Sequence, residues 1–456
     1  MKKRMYKIMA LAMTAAMVVP MAAQTTAFAA DDKEITYWNI AVESPDKDIV
    51  TAAVDKFNKE TESGYTVNSV AIQNDTYKEK LVIAMSSGEC PDMYSSWSGG
   101  PMYEYIDSGF AQPIDDLLDQ SDIKDKLLDA AIEQGSYKGH VYAIPYMNVV
   151  LAGIFYNKDM FKQYGLEEPK TLADLENICA TLKENGITPF ALANGSKWTG
   201  SMYFMSLAAR YGGLEPFQNA VAGTGKFTDD CFIKAGEKIQ EWVKNGYFPD
   251  GVNSLSEDDG QAKQLLYQET AGMMLGGSFY TGAFQTDSEE FYQKKIGWFP
   301  IPAIDDSDAD PTIQIGTVGD QFISFNCEGD KLAAAFECAA DHLSDEVEDM
   351  IYSTGKIAPV KDAGDHISDP VVKEIFDAAQ EASSIQLWYD QYLPTSVASA
   401  HLDGLQEVFG LTKTPQEAQE EMQTAMDEYL STKSDSGAAD DTAEEATDDA
   451  AADDAE

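Results

Sequence analysis

The sequence predicts an α/β protein with two lobes, on three observations. Segments rich in strand formers alternate with segments of helical period from residue 34 onward, the order of a parallel sheet covered by helices. The chain has 456 residues, more than one hydrophobic core usually organises. Its hydrophobic content of 44% is ample for packed cores, and no run after the first 30 residues is long and apolar enough to span a membrane.

The chain opens on Lys2, Lys3, Arg4 and Lys7, continues as an apolar run over residues 8–23, and reaches Ala27-Phe28-Ala29. This is the pattern of a secretory signal peptide, expected over residues 1–30 with cleavage near Ala29 or Ala30. Pro20 interrupts the run, which falls short of the ~20 apolar residues a membrane anchor needs. Residues 34–39 alternate apolar and polar side chains and read as the first strand. Ile49, Val50, Ala53, Val54 and Phe57 then repeat at helical spacing, and Gly64 precedes a second strand over 65–72. A helix over 77–86 carries Leu81, Ile83, Ala84 and Met85, and residues 91–97 read as a third strand. In open α/β sheets the binding crevice lies beyond the carboxyl ends of the strands. Trp38-Asn39, and Trp97 ahead of Ser98-Gly99-Gly100, fall at two such ends. One tryptophan there could serve rim packing alone; two favour an open crevice in which rings stack.

The middle third reads as helical over 172–183, 202–211 and 232–243, with short strands at 153–156, 271–275 and 296–300. Gly316 and Gly319 flank Thr317-Val318 as turn punctuation before a strand over 321–325. A helix over 331–343 follows, and the chain to residue 430 is again mostly helical. Residues 434–456 contain ten acidic residues and no basic or aromatic ones, a composition expected to stay disordered because it cannot bury enough apolar surface.

Composition excludes several functions. The formal charge is −46, and the leader holds four of the basic residues, so nucleic acid is not a partner. Anionic ligands usually recruit arginine for its bidentate fork, and Arg210 is the one arginine beyond the leader. Phosphate, sulfate and dicarboxylate ligands are therefore disfavoured. The five cysteines, an odd number without CxxC spacing, read as buried structural thiols. His140, His342, His366 and His401 show no paired-ligand spacing, and neither a GxSxG elbow nor a phosphate-binding GK[ST] loop is present. No metal, cofactor or nucleotide is expected. A glycoside hydrolase remains the enzymatic alternative, since it needs only two carboxylates among 78 acidic residues.

Pyranose rings present C–H faces that stack on aromatic rings, and their hydroxyls bond strongly to carboxylates. The segment Gln386-Leu387-Trp388-Tyr389-Asp390-Gln391-Tyr392 has that chemistry, with Trp388 and Asp390 as candidates. An amphipathic helix end with a core tryptophan would give the same pattern. Asp320, at the start of a predicted strand, is a second candidate acid.

Four phrases resemble a known family: Tyr142-Ala143-Ile144-Pro145-Tyr146, Phe155-Tyr156-Asn157-Lys158-Asp159-Met160-Phe161, Ser87-Gly88-Glu89-Cys90-Pro91-Asp92 and Gly297-Trp298-Phe299-Pro300-Ile301-Pro302. Over nearly the whole mature chain the sequence resembles bacterial extracellular solute-binding proteins of the carbohydrate ABC importer type. The likeness extends distantly to maltose-binding protein and, in look, to the oligosaccharide- and raffinose-binding branch. It implies two α/β lobes joined by several hinge crossings, with an oligosaccharide in the cleft between them. Residues 31–146 and 303–350 would form the first lobe, and 147–302 and 351–433 the second. By that likeness Trp97 and Glu43 line the cleft from the first lobe. Trp198, Phe279 and Tyr280 do so from the second, and Asp320, Trp388 and Asp390 match ligand-contacting positions. The implied protein is a monomeric receptor, not an enzyme, whose partners are a small oligosaccharide and the permease subunits of an ABC transporter. A receptor for a non-sugar ligand such as a peptide is the other alternative. No lipid-anchoring cysteine follows the leader, so either a periplasmic or a cell-surface or extracellular location fits.

Overall fold

The computed structural model describes residues 33–448, with side chains as far as residue 433. The expected leader and the last eight residues lie outside the described residues. No described helix is long and apolar enough to cross a membrane.

The first lobe is built on a five-stranded sheet. Its strands are β1 (Glu34–Asn39), β2 (Thr66–Ala71), β3 (Met93–Ser96), β4 (Ala143–Pro145) and, arriving much later in the chain, β10 (Phe322–Phe325), in the spatial order β2-β1-β3-β10-β4. β2, β1 and β3 are parallel, as the βαβ order predicts, with Ile35 opposite Val67 and Tyr37 opposite Met93. β10 runs antiparallel to both β3 and β4, so the sheet is mixed rather than wholly parallel. The reason is topological: β10 enters from the second lobe and needs no helical crossover to pair.

Helix α1 (Asp46–Glu60) buries Ile49, Val50, Ala53, Val54 and Phe57, the stripe whose period identifies it in the sequence. It packs against helices Gly329–Asp341 and Asp345–Ser353. Helix α2 (Asn74–Ser87) joins β2 to β3 and buries Tyr77, Leu81, Ala84 and Met85 but leaves Ile83 exposed.

The second sheet centres on β5 (Val149–Asn157), all nine of whose residues are buried. Its other strands are β6 (Thr188–Phe190), β7 (Ala271–Gly277), β8 (Ile296–Phe299), β9 (Gln314–Val318) and β11 (Ile385–Gln386), in the order β11-β9-β5-β7-β6, with β8 also on β5. Along β5, Leu151 and Phe155 enter one core cluster while Val150, Ile154 and Tyr156 enter another, so both faces of the sheet are covered. Residues 314–318 are strand, not turn. Gly316 stands in the ladder where a Cβ would meet the Val150 carbonyl oxygen at 2.0 Å, a close approach that its sequence position did not distinguish from a turn. The turn itself falls at Gly319, whose φ of 123° glycine alone adopts readily.

Strand pairing also moves two of the expected lobe boundaries. β9, expected in the first lobe, belongs to the second sheet. Residues 357–361, expected in the second, return to the first through a bridge between Leu127 and Val360. The chain therefore passes between lobes at 146–148, at 319–321 and after residue 363. Asn148 ties the interface together. Its carbonyl accepts the Asp320 N–H at 2.7 Å, its Oδ1 accepts the Ile357 N–H at 2.8 Å, and the next residue, Val149, donates to the Ile357 carbonyl at 2.7 Å.

The terminal helix runs from Pro415 to Asp448, well into the acidic segment expected to be disordered. Alanine and glutamate there are strong helix formers, and a helix already docked on Thr395–Phe409 needs no new nucleus to extend.

Candidate ligand-binding cleft

A cavity of about 900 Å³ lies between the two sheets. All eight residues singled out from the sequence border it: Glu43, Trp97, Trp198, Phe279, Tyr280, Asp320, Trp388 and Asp390. Trp97 follows β3 directly and Glu43 follows β1, so the first-lobe wall stands where strand ends feed loops. Trp38 does not line the cavity and packs instead with Tyr77 and Tyr94.

Trp97 is half-buried, edge-on to Tyr77, and the Lys78 ammonium lies 5.0 Å from its ring centre. Trp198 opens the helix Trp198–Gly212 and meets Phe279 edge-to-face at 6.1 Å; its indole N–H is buried without a partner. Trp388 precedes the short helix Tyr389–Tyr392, is only 3% exposed, and belongs to the second-lobe core while also bordering the cavity. It is thus a core tryptophan that also reaches the cavity wall.

The cavity is strongly acidic. Eight acidic side chains face it against two lysines, and each lysine is paired within the wall: Lys78 with Asp390 at 3.5 Å and Lys263 with Asp287 at 3.0 Å. Asp46 is bound by Lys356, a lysine buried behind the wall. Burial pushes the Asp320 carboxyl up to about 7, opposed by Lys356 and reinforced by Asp46. Burial likewise pushes Glu257 up to about 8, opposed by the Tyr280 hydroxyl and Lys263. Arg210 is not in this wall. It is buried in the second lobe, donating to the Ile301 carbonyl at 3.0 and 3.1 Å and to the Ile313 carbonyl at 2.7 Å, and burial lowers it to about 10.

Sequence reasoning missed much of the polar lining. Gln73, Asn74 and Lys78 stand at the start of α2, beyond the carboxyl end of β2, and the strand-end rule that picked out Trp97 would have found them. Glu257, Asp258 and Asp259 sit in a loop with no local signature among so many acids. Gln321 is 2% exposed and accepts the Tyr146 hydroxyl at 2.8 Å, which fixes its amide at the cavity floor. Among the described residues no cluster of histidine, cysteine and acidic side chains could hold a metal ion.

Residues 41–340 match the family of bacterial extracellular solute-binding proteins. The chain belongs to that family. An uncharacterized ABC transporter extracellular-binding protein of Pyrococcus horikoshii is 31% identical over 229 residues, half of each chain. The multiple sugar-binding protein of Streptococcus mutans is 29% identical over 180 residues, 39% of this chain and 37% of that one. These alignments span about half or less of the curated relatives' length. A solved structure from a study of xylan utilization by Caldanaerobius polysaccharolyticus superposes with a TM-score of 0.78 at 29% identity, covering 86% of this chain and 99% of that one. The two-lobed architecture of extracellular solute-binding proteins is thus the fold of this chain.

Proposed function

We propose that this solute-binding protein captures a neutral di- or oligosaccharide between its lobes and delivers it to the permease of an ABC transporter, without transforming it. The observation that carries the reading is the cavity wall itself: the Trp97 indole of the first lobe and the indole and phenyl rings of the second stand among acidic side chains, and both cavity lysines are already paired. Rings supply faces for pyranose C–H surfaces, and carboxylates accept sugar hydroxyls in charge-assisted bonds. A phosphate, sulfate or uronate group would meet uncompensated negative charge in a low-dielectric space. A cavity of about 900 Å³ is at the upper end of small-molecule sites, roughly 300–1,000 Å³, and has room for more than one sugar ring. The sugar-binding name of the Streptococcus mutans relative and the xylan setting of the Caldanaerobius structure point the same way. The family is extracellular, and we infer that this member acts as a monomer in the periplasm or at the cell surface.

The test is a thermal-shift screen of neutral oligosaccharides, uronate-bearing oligosaccharides and short peptides, followed by calorimetry of any hit. A true ligand raises the melting temperature by mass action. Neutral oligosaccharides should do so and be recovered intact. A hit confined to peptides or acidic glycans, or turnover of the sugar, overturns the reading.

A further inference from the structure

In the loop after Leu255 the first two of three consecutive acids, Glu257 and Asp258, face different ways across the cleft. The loop is held rigidly on the second lobe. The Gly195 N–H donates to the Leu255 carbonyl at 2.8 Å and the Glu257 N–H to Ser196 Oγ at 3.3 Å. The loop also closes on itself, with Ser256 N–H on Gln261 Oε1 at 2.7 Å and Gly260 N–H on the Glu257 carbonyl at 2.7 Å. Whatever its side chains touch is therefore held relative to the second lobe.

Asp258 touches the first lobe. Its Oδ2 accepts the Asp75 N–H in the first turn of α2 at 3.2 Å, and its carbonyl oxygen accepts Gln73 Nε2 at 3.5 Å. A carboxylate at a helix N-terminus satisfies an amide that has no intrahelical partner and sits at the positive end of the helix dipole. One turn further along α2, Lys78 reaches Asp390, whose side chain is 10% exposed, again from the second lobe. The start of α2 is thus clamped at two points by carboxylates from across the cleft. Glu257 does the opposite. It borders the cavity, and its Oε2 is buried with no hydrogen-bond partner in the protein. A buried polar atom without a partner is costly until one is supplied.

We propose that Glu257 and Asp258 form a ligand-coupled clasp: Glu257 binds a hydroxyl of the captured ligand, and the adjacent Asp258 locks α2 of the first lobe over it. The ligand supplies the partner that Glu257 lacks on a loop already fixed to the second lobe, and Asp258 on that same loop holds the first lobe over it. The clasp sets residence time more than encounter rate, because its bonds form only as the lobes come together. That the ligand is a sugar rests on the function proposed above; the cross-cleft contact does not.

The test measures sugar dissociation by stopped flow for the full-length protein and for Asp258→Ala, Asp258→Asn and Glu257→Gln, each first shown to be folded by circular dichroism. Loss of the Asp258 bonds should speed dissociation by about tenfold. Asparagine, which keeps an acceptor at the helix end, should restore part of the residence time, and Glu257→Gln should weaken affinity while leaving the cleft able to close. Dissociation from Asp258→Ala at the wild-type rate overturns the clasp. If the wild type binds no sugar, the functional reading fails and the clasp is judged by X-ray scattering of the ligand-free protein. Asp258→Ala should then be more extended than wild type; an unchanged radius overturns the proposal.

Discussion

Two tryptophans on opposite walls of the cleft show two ways of building the same surface. Trp97 sits just past the carboxyl end of β3, half-buried, with its ring toward the Lys78 ammonium and the cavity. Trp388 is only 3% exposed and packs into the second-lobe core while also bordering the cavity, so it is a residue the lobe needs in order to fold. The first-lobe wall is an addition to a regular sheet. The second-lobe wall is partly the core itself, reached from loops and helix ends scattered between residues 198 and 391.

This contrast can be broken by mutation. Trp388→Ala should cost about 3–5 kcal/mol of unfolding free energy by denaturant titration, because it empties a core position. Removing the second lobe's buried cation, Arg210→Leu, leaves two carbonyls without donors and should cost about 2–4 kcal/mol, with sugar affinity unchanged. Trp97→Ala should leave the protein folded but weaken sugar binding by about 1–3 kcal/mol in calorimetry, on the scale of lost ring stacking. Equal stability of the two tryptophan variants would erase the distinction between the walls.

Smaller effects follow from charge. Folded Glu257 keeps its proton up to about 8, whereas an ordinary glutamate loses it near 4.5. The folded state therefore binds more protons across that window, and this group's stabilisation declines as pH rises through it. Glu257 faces Tyr280, Lys263, Asp258 and Asp75, so the slope belongs to that cluster. In thermal melts, Glu257→Gln should gain on the wild type from pH 5 to pH 8, as its own folded stability does not carry that slope. His401 and His342 act in the opposite sense: burial lowers them to about 3 and about 4, so protonation of the unfolded chain destabilises the fold as pH falls below the ordinary 6.5. Last, Lys373→Ala removes an exposed pair with Asp377 and should shift stability by no more than about 0.5 kcal/mol.

Regular elements were legible wherever a single period dominated. The β1-α1-β2-α2-β3 run follows directly from alternation and the Ile49-to-Phe57 stripe. Pairings made across long sequence separations were not. Nothing near Phe322 says that β10 will enter the first sheet antiparallel, and Gly316 looks the same in a turn as in a ladder where two backbones nearly touch. The tryptophans that border the cavity were legible because the chain has only six and indoles are chemically distinct. Glu257 and Asp258 were not, since what sets them apart is a buried oxygen and a helix end brought near by folding. The last helix reaches Asp448, into the segment whose composition alone suggests disorder.

Asn148 holds a further consequence. The 146–148 and 319–321 crossings and the segment at Ile357 all meet at this residue and its neighbour Val149. β5 leaves that point as nine buried residues, paired in succession with β9 and β8 along one edge and with β7 along the other. The side chain and backbone of Asn148 thus join the first sheet's returning segment to the longest buried strand of the second, so a substitution there would be felt in both lobes at once.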